Sequence, residues 1–479
     1  MKRTFVLAAM LLSSILCFGQ ETLTVNLKGE ASMKIPNAPI NKGESFTITS
    51  VRCDKSSAKG YDYLLNVTTE SGKNVLIDLS KTRQLPVVFN PETKDEYWNS
   101  RSIQRSLPGL STMVNAYALR NKAESSANDA VSSLRLHSMV IEDPYLTSYV
   151  NSLLTKISPA QRLDFFKYNF KVIVAKDDEP NAGIYPNGTL VINAGLLARL
   201  HTEDELVALL CHEANHFICN HYLDNMSKIQ KRETAGIIGS AVLGVAAGVL
   251  TGSASLGMST SHLSLGVASE INAAVTAMGL AFDQTQEKES DQAAVDLLPI
   301  LGYDTNAMAT CIKRIGDYYL EEGDLAAYYR SGNHPRIEDR IAATGIPFER
   351  RDSTFEKMMA PCVSYIAQVL YDKGRYTQAM ELANRNISNN VGRGSDYLIS
   401  GECLLAGYDT YETNSLACMM LQKAHSMSSS NLRILKSLIV ANMRAGFREE
   451  ARALLEKFSS MARDKEEEAA WAENMMLNI

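Results

Sequence analysis

The sequence lacks any excess of basic charge: 48 Lys and Arg stand against 54 Asp and Glu, a formal net charge of −6. A nucleic-acid binder normally carries a basic face, so no nucleic-acid partner is expected. There is no run of like charges, which argues against a basic membrane patch. There is also no CxxC pair and no regular spacing among the eight cysteines, so no disulfide framework is implied. Most of the cysteines read as small buried apolar residues, with a single disulfide left open. Nor is the chain poor in apolar residues. At 45% hydrophobic and 21% charged it is excluded from general disorder, and 479 residues suffice for two to four domains with a sizeable core.

What is present begins with an export signal. The segment MKRTFVLAAMLLSSILCFGQ opens on Lys2 and Arg3 and continues through an apolar stretch from Phe5 to Leu16. It ends with Cys17 and Gly19 at cleavage positions, so residues 1–19 read as a secretory signal peptide. Leu16 is too bulky to precede a lipidated Cys17. Residues 20–100 alternate apolar and polar, as in SFTITSV, YDYLLNVTT and NVLIDLS, and predict a small β-barrel or sandwich.

From 101 to 350 the pattern is helical with one strand pair. FKVIVAKD is one strand; NAGIYPNGTLVINAGLL is a second extended segment, turned at Pro186-Asn187-Gly188. Thr202 and Glu205 then form a capping box at the start of a helix expected over about 203–223. Between Glu233 and Glu270 lie 36 residues without an acid, Lys or Arg. Part of that stretch, 234–257, is long enough to cross a bilayer and contains Gly244-xxx-Gly248-xxx-Gly252. Its glycine and alanine content favours a helix packed tightly within or against a soluble fold, with a membrane-surface or membrane-inserting role as the other reading. From 351 to 479 the chain reads as tetratricopeptide-like helical repeats. Ala367, Gly374, Tyr376, Ala379 and Ala383 follow the pattern, and Gly446, Ala451 and Leu455 repeat its frame around one irregular unit. Such arrays present concave surfaces to protein partners. The fold class is therefore multidomain and mainly α, with an N-terminal β module, an α+β core and C-terminal α-hairpins.

The residues that carry chemistry are CHEANH, within the central helix. His212 and His216 are four apart, about 40° from each other around the helix, so both imidazoles can reach one zinc ion. Glu213 beside them can reach a water, take its proton and later deliver that proton to a leaving amine. His221 follows, but on a continuous helix it would point about 140° from His216 and so face elsewhere. A third ligand is needed, and QTQEKESDQAAVDLL offers one. Glu287 and Asp291 share a helix face, the first able to bind the metal and the second to orient a ligand histidine. Glu289 lies on the opposite face of this helix, which is one acidic helix among several.

The segments IEDPYLTSYVNSLL, NAGIYPNGTLVINAGLL, EDELVALLCHEANHFICNH, EKESD and NHPRIEDRI, read together over roughly 135–345, give the chain a family resemblance. It resembles the metallopeptidase family that contains the HtpX heat-shock protease and the CAAX prenyl endopeptidases. The resemblance implies a gluzincin core holding one zinc on His212, His216 and Glu287, with Glu213 as general base and Asp291 behind a ligand. It further implies that Asn181 and Ala182 begin an edge strand that pairs with an extended substrate by β-augmentation. His334 would then stabilise the oxyanion or plug the open zinc position, and Arg340 would make a structural salt bridge. A signal peptide, protease core and repeats in this order are most similar to the periplasmic β-barrel assembly-enhancing protease branch.

The expected protein is thus an exported zinc metalloendopeptidase of the periplasm that hydrolyses unfolded or misassembled envelope proteins in quality control, with repeats that select clients. The rival expectation is a tetratricopeptide-based chaperone or assembly scaffold whose zinc site is structural or latent.

Overall fold

The computed structural model describes residues 21–54, 62–79, 85–105, 113–160, 170–234, 282–323, 328, 335–407 and 409–477. The expected signal peptide at 1–19, His334 and nearly all of the 234–257 segment lie outside them. Among the described residues no helix is long and apolar enough to cross a membrane.

Strands β1 (Glu21–Ala31), β2 (Ser45–Asp54), β3 (Asp62–Thr69), β4 (Asn74–Asp78) and β5 (Val87–Phe89) form one antiparallel sheet in the order β4-β3-β2-β1-β5. The expected barrel or sandwich is corrected here: β4 and β5 stand at opposite edges, and among the described residues no second sheet covers the apolar face. Period-two alternation turns Leu27, Ile48, Leu65, Val67 and Ile77 to one side. Ile35, Ile40 and Leu85 from loops, with Ile103 from helix α1 (Lys94–Arg105), close that side. A loop and a helix supply the second layer that alternation alone assigns to strands. The same helix turns Trp98 the other way, where its indole N–H donates to the Ile157 carbonyl at 2.8 Å, so α1 rivets the sheet to the rest of the molecule.

Next come helices α2 (Met113–Leu136) and α3 (Pro144–Ile157) and a three-stranded sheet of β6 (Lys171–Ala175), β7 (Ala182–Ile184) and β8 (Thr189–Asn193). Its order is β6-β8-β7, with β6 and β8 parallel and β7 an antiparallel edge. The expected turn is present: the Gly188 N–H donates to the Tyr185 carbonyl, and Gly188 takes φ 81°, a conformation that glycine reaches without steric cost. Helices α4 (Ala194–Arg199), α5 (Glu203–Ile218), α6 (His221–Thr234), α7 (Gln284–Leu301), α8 (Ala307–Glu321), α9 (Ile337–Thr344) and α10 (Ser353–Met358) complete this region.

The chain ends in α11 (Ala360–Asp372), α12 (Tyr376–Ser388), α13 (Gly394–Ala406), α14 (Tyr411–Met427), α15 (Leu432–Arg444), α16 (Arg448–Met461) and α17 (Glu466–Met476), each packed on the next. Gly374 and Gly446 turn the chain between α11 and α12 and between α15 and α16, with φ 74° and 83°. One hydrophobic core runs from Leu146 and Val150 of α3 through Leu206 and Leu210 of α5 to Ala367, Ala379, Ala383 and Cys403. The first helices of the C-terminal array therefore share a core with the central helices. Cys211, Cys219, Cys311, Cys362, Cys403 and Cys418 are buried free thiols, which matches their reading as small apolar residues.

Candidate metal centre

Helix α5 begins where Thr202 accepts the Glu205 N–H on its side chain at 3.3 Å. Glu205 does not close the expected capping box on Thr202. Its carboxylate reaches one residue further back, to the His201 N–H at 2.9 Å. From Glu205 to Ile218 every residue of α5 is buried, so its polar side chains must find partners inside the protein. Helix α7 starts at a full capping box of Asp283 and Gln286, and Gln286 also exchanges amide hydrogen bonds with Asn225.

The two helices face each other with His212, His216 and Glu287 at their junction. The Nε2 atoms of His212 and His216 are 3.1 Å apart. Glu287 places Oε1 3.4 Å from His216 Nε2 and Oε2 3.9 Å from His212 Nε2. Two neutral nitrogen acceptors and a carboxylate converging in a buried space suit a divalent ion, and this donor set is that of a gluzincin-type zinc site. Crowding three acceptors without a cation would be unfavourable, so the arrangement fits a metal.

The atoms behind these donors are also held. Asp291 Oδ1 lies 2.9 Å from His212 Nδ1. Arg340 clamps Asp291 with two bonds, Nε to Oδ2 at 2.8 Å and Nη2 to Oδ1 at 2.7 Å, and donates to the Tyr328 hydroxyl at 2.9 Å. Burial works to raise the Asp291 pKa, but Arg340 overrides it and holds it down at about 2. Burial also opposes a charge on His212, yet Asp291 keeps its pKa above the ordinary value. Among the described residues no carboxylate stands directly behind His216, and burial pushes its pKa down to about 4.

Glu213 is buried beside this cluster and accepts the Ile184 N–H on Oε2 at 3.2 Å. Burial pushes its pKa up to about 7, against the lowering effect of His212. A cavity of about 70 Å³ opens here, lined among others by Asn181, Ala182, His212, Glu213, Glu287 and Tyr319. Ala182 begins the edge strand β7, and the Asn181 side chain accepts the Ala182 N–H at 2.8 Å. The structure thus brings together every site residue singled out in the sequence except His334, which lies outside the described residues.

Other features of the site were not legible in the sequence. The Asn215 amide donates to Ser290 Oγ at 3.0 Å and ties α5 to α7. Phe282 stacks on His216, centroids 3.8 Å apart. His221 does not face away: its Nδ1 lies 2.9 Å from His216 Nδ1. The helical-wheel extrapolation fails because α5 stops at Ile218, Asn220 adopts φ 52°, and a new helix starts at His221. An asparagine tolerates that left-handed backbone, and it is the one sequence signal of the break.

Residues 142–345 match the model of peptidase family M48. The chain is 24% identical over 240 residues to the Beta-barrel assembly-enhancing protease of Escherichia coli (strain K12), covering 50% of this chain and 46% of that protein. It is 26% identical over 211 residues to the Putative beta-barrel assembly-enhancing protease of Vibrio cholerae, covering 43% and 40%. A third relative is the Mitochondrial metalloendopeptidase OMA1 of Schizosaccharomyces pombe, 27% identical over 197 residues, covering 41% and 51%. The chain spans about half the length of the curated relatives it matches.

Proposed function

Residues 142–345 are a peptidase family M48 domain, and on that premise we propose that the chain is a zinc metalloendopeptidase acting on unfolded segments of envelope proteins. The observation that carries this reading is the convergence of His212, His216 and Glu287 beside a buried Glu213 and the edge strand β7. His212, His216 and Glu287 would hold one zinc, which when bound polarises a peptide carbonyl and acidifies a water.

Glu213 is the general base. The Ile184 N–H fixes its Oε2, so the carboxylate is aimed before substrate arrives. It accepts the proton of the attacking water and returns it to the leaving amine. Asp291, pinned by Arg340, keeps the proton of His212 on Nδ1 and leaves Nε2 free to ligate. In the β7–β8 ladder the N–H groups of Ala182 and Ile184 are not spent on β8; Asn181 and Glu213 take them. The outer side of β7 therefore borders the site, and an extended chain laid along it would run past Glu213. Such a substrate must be unfolded there. His334 is reserved for the oxyanion or for a latent plug.

Export to the periplasm, division into β module, protease and repeats, and client selection by α11–α17 belong to the same proposal. They are supported by the amino-terminal sequence, by the successive packing of those helices and by relatives named for β-barrel assembly. The test is Glu213→Gln in the mature protein, assayed on an unfolded protein substrate. Loss of a positioned base typically costs about 10²–10⁴-fold in rate, and zinc content should stay near that of the wild type. Cleavage at the wild-type rate would overturn the assignment. Client binding without cleavage by the wild type would favour the chaperone reading.

A further inference from the structure

We propose that His221 is a positioning residue for the ligand His216, and that His221, Glu289 and Arg101 support it as Asp291 and Arg340 support His212. The proposal rests on the reading of His212, His216 and Glu287 as a zinc site.

His216 turns Nε2 toward Glu287 and His212, which leaves Nδ1 facing back into the protein. There it meets His221 Nδ1, at 2.9 Å. Two ring nitrogens at this distance share one proton, one donating and the other accepting. A neutral imidazole that offers the Nε2 lone pair to a cation carries its proton on Nδ1, so His216 donates and His221 accepts. The proton of His221 then sits on Nε2, which faces Glu289 Oε2 at 3.5 Å. Glu289 Oε1 in turn receives Arg101 Nη2 at 2.6 Å. Each ligand histidine is thus backed by an acid–arginine pair from elsewhere in the chain. One pair acts directly and the other through a second imidazole.

The local fold is built to place that imidazole. His221 is fully buried, and the Asn220 break returns its ring to the end of α5. Phe282 lies nearly parallel to the His216 ring, at 17°, so the ring plane is fixed while His221 fixes the tautomer. Partners behind a metal-bound histidine commonly change metal affinity about 10–100-fold.

The experiment measures zinc affinity and zinc release by chelator competition on the mature full chain. Wild type is compared with His221→Phe, His221→Gln, Glu289→Gln and Cys219→Ser. Phenylalanine keeps the ring volume without an acceptor; glutamine restores an acceptor oxygen. The expected result is a dissociation constant raised about 10–100-fold in His221→Phe, largely restored in His221→Gln and raised less in Glu289→Gln. Wild-type affinity in His221→Phe overturns the proposal. Equal weakening in His221→Phe and His221→Gln does so as well, because acceptor chemistry would then not matter.

Cys219, His221 and Glu289 also bring donor atoms within 4.8 Å of one another. Two zinc ions per wild-type chain, falling to one in Cys219→Ser, would make His221 a ligand itself and overturn the positioning role. A wild-type protein that binds no zinc would instead bring down the reading of the main site, an outcome distinct from the others.

Discussion

Asn215 and Ser290 are joined by a hydrogen bond of 3.0 Å in the closed space between α5 and α7, with neither residue exposed. Asn215 lies one residue before His216, and Ser290 lies between Glu287 and Asp291. This bond therefore sets how far the third donor stands from the two histidines. Ser290→Ala leaves a buried amide without this acceptor and should cost about 1–3 kcal/mol. Zinc affinity should fall with it. Urea unfolding of the zinc-free protein checks the first, and chelator competition the second.

Arg340 is expected to be the most sensitive charge in the site. Arg340→Met would leave the Asp291 carboxylate buried without its guanidinium, facing only His212 Nδ1 at 2.9 Å, and losing the charged partner of a buried pair costs about 3–5 kcal/mol. Asp291→Asn placed on top of Arg340→Met should recover part of that loss, since the stranded charge is gone. Denaturant midpoints of the two single variants and the double variant decide it. A double variant no more stable than Arg340→Met would remove the charge argument.

Glu205 gives a pH prediction away from the metal donors. Burial lifts its carboxyl from 4.5 to about 7, against the lowering effects of the His201 N–H, Arg314 and Thr202, with Glu349 adding slightly to the rise. The folded chain therefore holds this proton over a range where the unfolded chain has released it. Its stabilising contribution is complete below about pH 4.5 and is lost as the pH rises through about 7. Glu205→Gln is neutral throughout, so wild type should lose stability relative to it between about pH 5 and about pH 8. A constant difference between the two proteins across that range would contradict the assignment.

Gly195 is irreplaceable for steric reasons. A Cβ there would stand 2.0 Å from the Asp178 carbonyl oxygen, and the Gly195 N–H donates to the Asp177 carbonyl at 2.8 Å. Gly195→Ala must push the 177–182 segment outward, at a cost of about 1–3 kcal/mol. Because that segment leads into β7, the Michaelis constant for an unfolded substrate should rise more than the turnover number falls. Steady-state kinetics measure the split.

Much of this arrangement was legible because it is local. HExxH spacing, the Thr202 N-cap and the Pro186-Asn187-Gly188 turn are each set by neighbours within four residues. Glu287 and Asp291 share a face for the same reason. What escaped depends on chain direction or on distant partners. His221 sits beside His216, contrary to helix periodicity, because one residue, Asn220, interrupts the helix between them. Alternation points to a barrel or sandwich because it reveals that a face is covered but not by what. In this chain Ile35, Ile40 and Ile103 cover it. The bond from Arg101 to Glu289 spans 188 positions, and no periodicity announces such a pair.

The continuous core from α3 to Cys403 limits how this molecule can be divided. A cut near residue 350, where composition suggests a boundary, would strip Ala367, Ala379 and Ala383 from the helices they cover. It would also remove Lys373, the partner of Asp178. A recombination event or an engineered chimera that exchanges the C-terminal helices at that point inherits an open wound in the protease. Exchange beyond Cys403 leaves that core whole. The later helices are thus a separable attachment, while the first hairpin belongs to the same packed body as the chemistry.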